Sequence, residues 1–81
     1  MDNKTFSIKQ VSDMTGVSQN RIREWHEKDL LPGVHLIEVG TLQHRRFTED
    51  DIRIIQKIDE LQGAGIMLRT AAEQARQELL K

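Results

Sequence analysis

Gln19, Asn20, Arg21 and Arg23 place hydrogen-bond donors close together early in the chain. Amide and guanidinium N–H groups match phosphate oxygens and the acceptor edges of bases. The planar arginine fork can take a phosphate or the O6/N7 edge of guanine with two bonds at once. A second basic group, His44-Arg45-Arg46, follows, whereas the acids gather in Glu49-Asp50-Asp51 and Asp59-Glu60. Other chemistries find little support. His26, His35 and His44 fall in three separate segments without the spacing of a metal site. The absence of cysteine removes thiolate ligands, thiol nucleophiles and disulfides. No nucleophile motif or phosphate-cradling glycine loop is present. The expectation is a binding module with no cofactor, not an enzyme.

Eighty-one residues make one domain with a modest core, and a net charge of −1 argues against non-specific coating of nucleic acid. It leaves room for a specific reader, in which the placement of charge matters more than its sum. The opening MDNKTFSIKQ lacks an apolar signal core, and no apolar run approaches the ~20 residues that span a bilayer. The chain is expected to be soluble and cytoplasmic, at the nucleoid, with no membrane partner.

The donors need a rigid support, and the flanking sequence supplies one. Ser7 and Gln10 have capping-box spacing, with Phe6 and Val11 at the staple positions. Ile8, Val11 and Met14 predict one buried stripe on a first helix. Gly16 predicts a left-handed turn after Thr15. Val17 should fill the angle between two helices, and Ser18 should cap the second. Ile22 and Trp25 then face inward, with Gln19, Asn20, Arg23, Glu24 and Glu27 outward. Asp29 stands where a terminal glycine is common, and Pro32-Gly33 ends the segment. This outlines a helix-turn-helix over residues 7–29, the form of a DNA reader.

Residues 34–47 suit a β-hairpin turning at Gly40-Thr41, with Val34, Leu36, Ile37 and Val39 favouring strand. Alternation puts Arg45 and Arg46 on opposite faces, so one can reach DNA while the other faces solvent or an acid such as Glu49. Thr48, with Asp51 three residues on, predicts the start of a third helix. Glu49, Asp50 and Asp51 complement its dipole. Ile52, Ile55, Ile58 and Leu61 form its inner row, widened by Ile54. Gly63-Ala64-Gly65 breaks it, and residues 67–80 form a fourth helix with Leu68, Ala71, Ala72, Ala75 and Leu79 inside.

The segments SIKQVSDMTGVSQNRIREW, EKDLLP, HRRFTEDDI and ELQGAGI, in this order, resemble the DNA-binding domain of MerR-family bacterial transcription regulators. The resemblance covers about residues 6–70. It implies a mainly α fold with a small β-hairpin wing: a winged helix-turn-helix of about four helices in a single domain, 1–81. The wing would span 33–47 and a helix pair 49–80. It implies that Arg23 approaches DNA from the second helix and that the wing arginine Arg45 contacts backbone or minor groove. It also implies that Gln19, Asn20 and Arg21 face base edges. Phosphate contacts are expected from Arg23 and Arg45, with Lys9 or Lys28, and from Ser18 at the helix N-terminus. His44 and Arg46 complete the basic wing. The chain departs from the family at Glu24, where many members have an aromatic residue and where a carboxylate repels phosphate. The resemblance further implies a homodimer formed through a segment beyond Lys81.

Each feature has a plainer reading. Arg21 and Arg23 could be a solvated helix face paired with Glu24 and Glu27. His44-Arg45-Arg46 could be charge that protects an edge strand. Trp25 reads best as core. Two other functions remain open. One is a complete small excisionase-like or nucleoid- or segregation-associated architectural factor. The other is a protein-interaction module using the Ile52/Ile55/Ile58 and alanine faces, which an exposed apolar patch there would favour.

Overall fold

The computed structural model describes residues 4–79, with only the backbone described at Val39. Its elements run α1 (Ile8–Thr15), α2 (Gln19–Glu27), β1 (His35–Val39), β2 (Leu42–Arg46), α3 (Glu49–Gly63) and α4 (Leu68–Leu79). The chain is mainly helical with one antiparallel hairpin, the architecture of a winged helix-turn-helix. The expected end of α4 at Leu80 lies outside the described residues.

Ser7 caps α1 as its spacing predicts: its hydroxyl accepts from the Gln10 amide, and the Gln10 side chain accepts from the Ser7 amide. Gly16 ends the helix at φ 78°, returning its N–H to the Ser12 carbonyl. Thr15 donates its hydroxyl to the Val11 carbonyl and accepts from the Val17 amide, while the Ser12 hydroxyl donates to the Val17 carbonyl at 2.6 Å. These bonds fold the turn around Val17, which is fully buried between the helices.

The buried stripe of α1 differs from expectation. Val11 is buried and Ile8 partly so, but Met14 is 54% exposed. A row of residues spaced by three drifts about 60° round the helix at each step. By Met14 it has left the inner face, and Thr15, four residues after Val11, takes that place.

At the end of α2, Asp29 adopts φ 60°. The Leu30 amide bonds back to Trp25 and the Asp29 amide to His26, which is a Schellman cap with aspartate in the glycine position. Gly65 closes α3 the same way, at φ 92°, with Ile66 bonding back to Leu61.

Thr48 and Asp51 cap α3 reciprocally. Asp51 also reaches beyond its own helix. It is fully buried and accepts from the Thr48 amide, the Thr48 hydroxyl and the Gly33 amide at 2.8–3.0 Å. The capping acid therefore also ties the entrance of the hairpin to α3. Phe6 pairs with Phe47 through two 2.8 Å backbone bonds, tying the hairpin's exit to the start of the chain.

The core joins Val11, Val17, Ile22, Trp25, Leu31 and Phe47 to Ile52, Ile54, Ile55 and Ile58, closed by Ala71, Ala72 and Ala75 of α4. The alanines let α4 lie close along α3, the most extensive helix contact in the molecule. The isoleucine and alanine faces are consumed by this packing. Among the described residues these faces therefore offer no exposed patch that would favour the protein-interaction reading.

Candidate nucleic-acid interface

The leading edge of α2 is built by its cap. The Ser18 hydroxyl accepts from the Arg21 amide at 3.2 Å, starting the helix so that Gln19, Asn20 and Arg23 are all exposed. The Arg23 guanidinium donates to the Asn20 side-chain oxygen at 3.3 Å. These two residues, three apart, thus share one outward face.

Arg21 departs from the expectation that it faces a base edge. Its guanidinium meets Asp59 at 3.1 Å, donates to the Gln62 side chain at 2.8 Å and lies 4.9 Å from the centre of the Trp25 ring. Its spacing of four from Trp25 puts it on the flank of the buried stripe, where it joins α2 to the C-terminal part of α3. In the structure Arg21 ties α2 to α3.

The hairpin register pairs Leu36 with Arg45 and Glu38 with Gln43 on one face, and His35 with Arg46 and Ile37 with His44 on the other. Arg45 and Arg46 do point to opposite faces, but neither simply faces solvent. Arg46 donates to the Thr5 hydroxyl at 3.2 Å and to the Thr5 carbonyl at 3.0 Å. It anchors the root of the wing and does not pair with Glu49 as expected. Arg45 turns toward α2. Its Nε donates to His26 Nδ1 at 3.0 Å, and its Nη2 lies 3.6 Å from Glu27. That hydrogen bond needs a lone pair on Nδ1, so the ring accepts here. His44 is exposed on the face away from Arg45.

Lys28 is half-exposed and pairs with Glu24 at 3.0 Å, four residues earlier. Lys9 is exposed on α1. The structure therefore brings together Asn20 and Arg23 on one edge of α2, and Arg45, His26 and Glu27 where the wing meets that helix. It withdraws Arg21 and Arg46 into structural bonds. The roles of Thr5, His26, Asp59 and Gln62 were not visible in the sequence, because each partner lies far away along the chain. The plainer reading paired Glu24 and Glu27 with Arg21 and Arg23; in the structure Glu24 pairs with Lys28, four residues on, and Glu27 with Arg45 of the wing.

A capped helix pair with an exposed polar edge on its second member, followed by a hairpin fastened against that member, defines a winged helix-turn-helix domain. The family model described as "MerR HTH family regulatory protein" matches residues 6–78. The chain belongs to this family, and with it to the DNA-binding regulators of transcription. Among curated proteins, none gives a significant match. No helix among the described residues is long and apolar enough to cross a membrane.

Proposed function

We propose that this domain reads double-stranded DNA in a sequence-dependent manner, with the N-terminal part of α2 in the major groove and the wing on the flanking backbone or minor groove. The observation that carries this reading is the exposed edge of Gln19, Asn20 and Arg23 at the start of α2, beside a hairpin arginine already held against the same helix. Gln19 and Asn20 supply the base contacts, and Arg23 either a base or a phosphate contact. Arg45, Lys28 and Ser18 contact phosphates. His44, on the opposite face of the wing from Arg45, reaches only the flanking strand.

One recognition helix spans one half-site, and Lys28 and Arg45 are already paired with acids. Specific affinity therefore comes from two copies on half-sites about 34–36 Å apart, one helical turn of DNA. In this reading the protein works in the cytoplasm, at the nucleoid, as a homodimer on its operator.

Selection of bound sequences from a random duplex pool tests the proposal directly. The expected result is an enriched half-site repeated at helical spacing. Binding without enrichment would remove the sequence-dependent part, and no binding at any salt would remove the whole. Affinity should also fall with rising salt, with a slope of about −0.9 per phosphate contacted.

A further inference from the structure

Two of the cations assigned to phosphate are already paired with acids of the recognition helix. Lys28 sits 3.0 Å from Glu24 and Arg45 sits 3.6 Å from Glu27. Both acids are more than half exposed, at 56% and 62% of their side-chain surface. The two pairs differ from the Arg21–Asp59 pair, which is reinforced by Gln62 and the Trp25 ring.

Arg45 shows how an exchange would work. Its Nε is fixed by His26, while the 3.6 Å gap to Glu27 exceeds hydrogen-bond length. The fork can keep its bond to the imidazole and still give up the carboxylate. A phosphate oxygen approaching the Nη groups would replace Glu27 without moving the wing. Lys28, on a flexible stem, can leave Glu24 as easily.

We infer that Glu24 and Glu27 are built-in stand-ins for two DNA phosphates. They hold Lys28 and Arg45 until DNA takes them over, and so set the affinity of a single domain low. This rests on the DNA-reading proposal above. Docking then exchanges ion pairs where it would otherwise add them. A domain restrained in this way holds DNA poorly alone, so occupancy depends on two copies bound together. The net charge of −1 is consistent with such restraint. It also gives Glu24, the departure from the family pattern, a task.

The test measures Kd by fluorescence anisotropy on two duplexes, one recovered from the random pool and one of unselected sequence, over a series of salt concentrations. Glu24→Gln/Glu27→Gln should tighten binding to both duplexes by a similar factor, about 3- to 10-fold, since an exposed pair is worth at most about 5-fold. The gain should shrink as salt rises, because screening weakens the exposed pairs in the unaltered protein. The control is Glu49→Gln/Glu73→Gln, the same change of charge at exposed acids that form no ion pair among the described residues. It should tighten binding far less, and an equal gain would reduce the effect to net charge and overturn the inference. In an Arg45→Ala background Glu27→Gln should lose its effect. A persisting gain would mean plain repulsion between Glu27 and DNA, which also overturns it. Weaker binding by Glu27→Gln would make Glu27 a support for Arg45 and refute the stand-in role. If the unaltered chain binds neither duplex, the DNA-reading proposal itself fails. If it binds but the substitutions change nothing, only this inference fails.

Discussion

Arg21 and Arg23 stand two positions apart in the same basic run, yet only Arg23 falls on the expected outward face of α2. The structure separates them by about 200° of helix rotation. Arg23 is exposed beside Asn20, and Arg21 joins Asp59, Gln62 and the Trp25 face. Half of this was legible, since the spacing of four between Arg21 and Trp25 already places the arginine next to the buried stripe. The partner was not, because Asp59 lies 38 residues away and only tertiary packing brings it near. The two residues should therefore fail differently. Arg21→Ala should lower stability by about 1–2 kcal/mol: a surface ion pair that is nearly half exposed gives little, and the aromatic contact and packed stem add the rest. Base preference in a selection experiment should stay the same. Arg23→Ala should leave the denaturation midpoint within experimental scatter and weaken DNA binding. A shifted preference with Arg21→Ala, or a large loss of stability with Arg23→Ala, would reverse the assignment.

At the scale of elements, the wing is positioned by its root more than by its own sequence. Local signals located the caps of α1, α2 and α3, the turn at Gly16 and the hairpin, because each depends on residues within a few positions. They did not reveal that the α3 cap also holds the wing, since the Gly33 amide reaches Asp51 only once the chain has folded back. Gly33 is constrained by contact. A Cβ there would sit 2.7 Å from both an Asp51 oxygen and the Thr48 hydroxyl, inside the cluster that caps α3. Gly33→Ala should cost about 1–3 kcal/mol, as expected for overpacking, and chemical denaturation with NMR shifts in both β1 and the first turn of α3 would show it. A shift confined to residue 33 would mean the two elements are not coupled. Asp29 gives the opposite case. Aspartate at φ 60° completes the α2 cap at a steric disadvantage to glycine. Asp29→Gly should raise stability by about 0.5–1 kcal/mol without changing DNA binding, and a destabilised protein would show that the carboxylate has a partner of its own.

The molecule as a whole divides into a helical body that carries the core and a hairpin that contributes little to it. Leu36, Ile37 and Leu42 are 42–63% exposed, whereas Ile54, Ile55 and Ile58 are essentially inaccessible. The hairpin is held at its root by the Phe6–Phe47 bridge, Arg46–Thr5 and Asp51–Gly33. At its side it is held by Arg45 on His26 and Glu27. A domain of 81 residues has a total stability of about 4–12 kcal/mol, and the wing draws on little of it, because few buried contacts must break for it to open. Its backbone amides should therefore exchange with solvent through local opening, at lower free energy than those of α3, whose exchange should require global unfolding. Arg45→Ala removes the side attachment but not the root, so it should lower protection in β1 and β2 while leaving α3 protection and the denaturation midpoint unchanged. The same substitution should weaken DNA binding by a similar factor on every sequence, because a phosphate contact carries no base information. Bound DNA should raise hairpin protection in the unaltered protein and raise it less in Arg45→Ala. If hairpin and α3 amides instead exchange together at the global free energy, the wing belongs to the cooperative core, and the picture of a separately fastened arm must be given up.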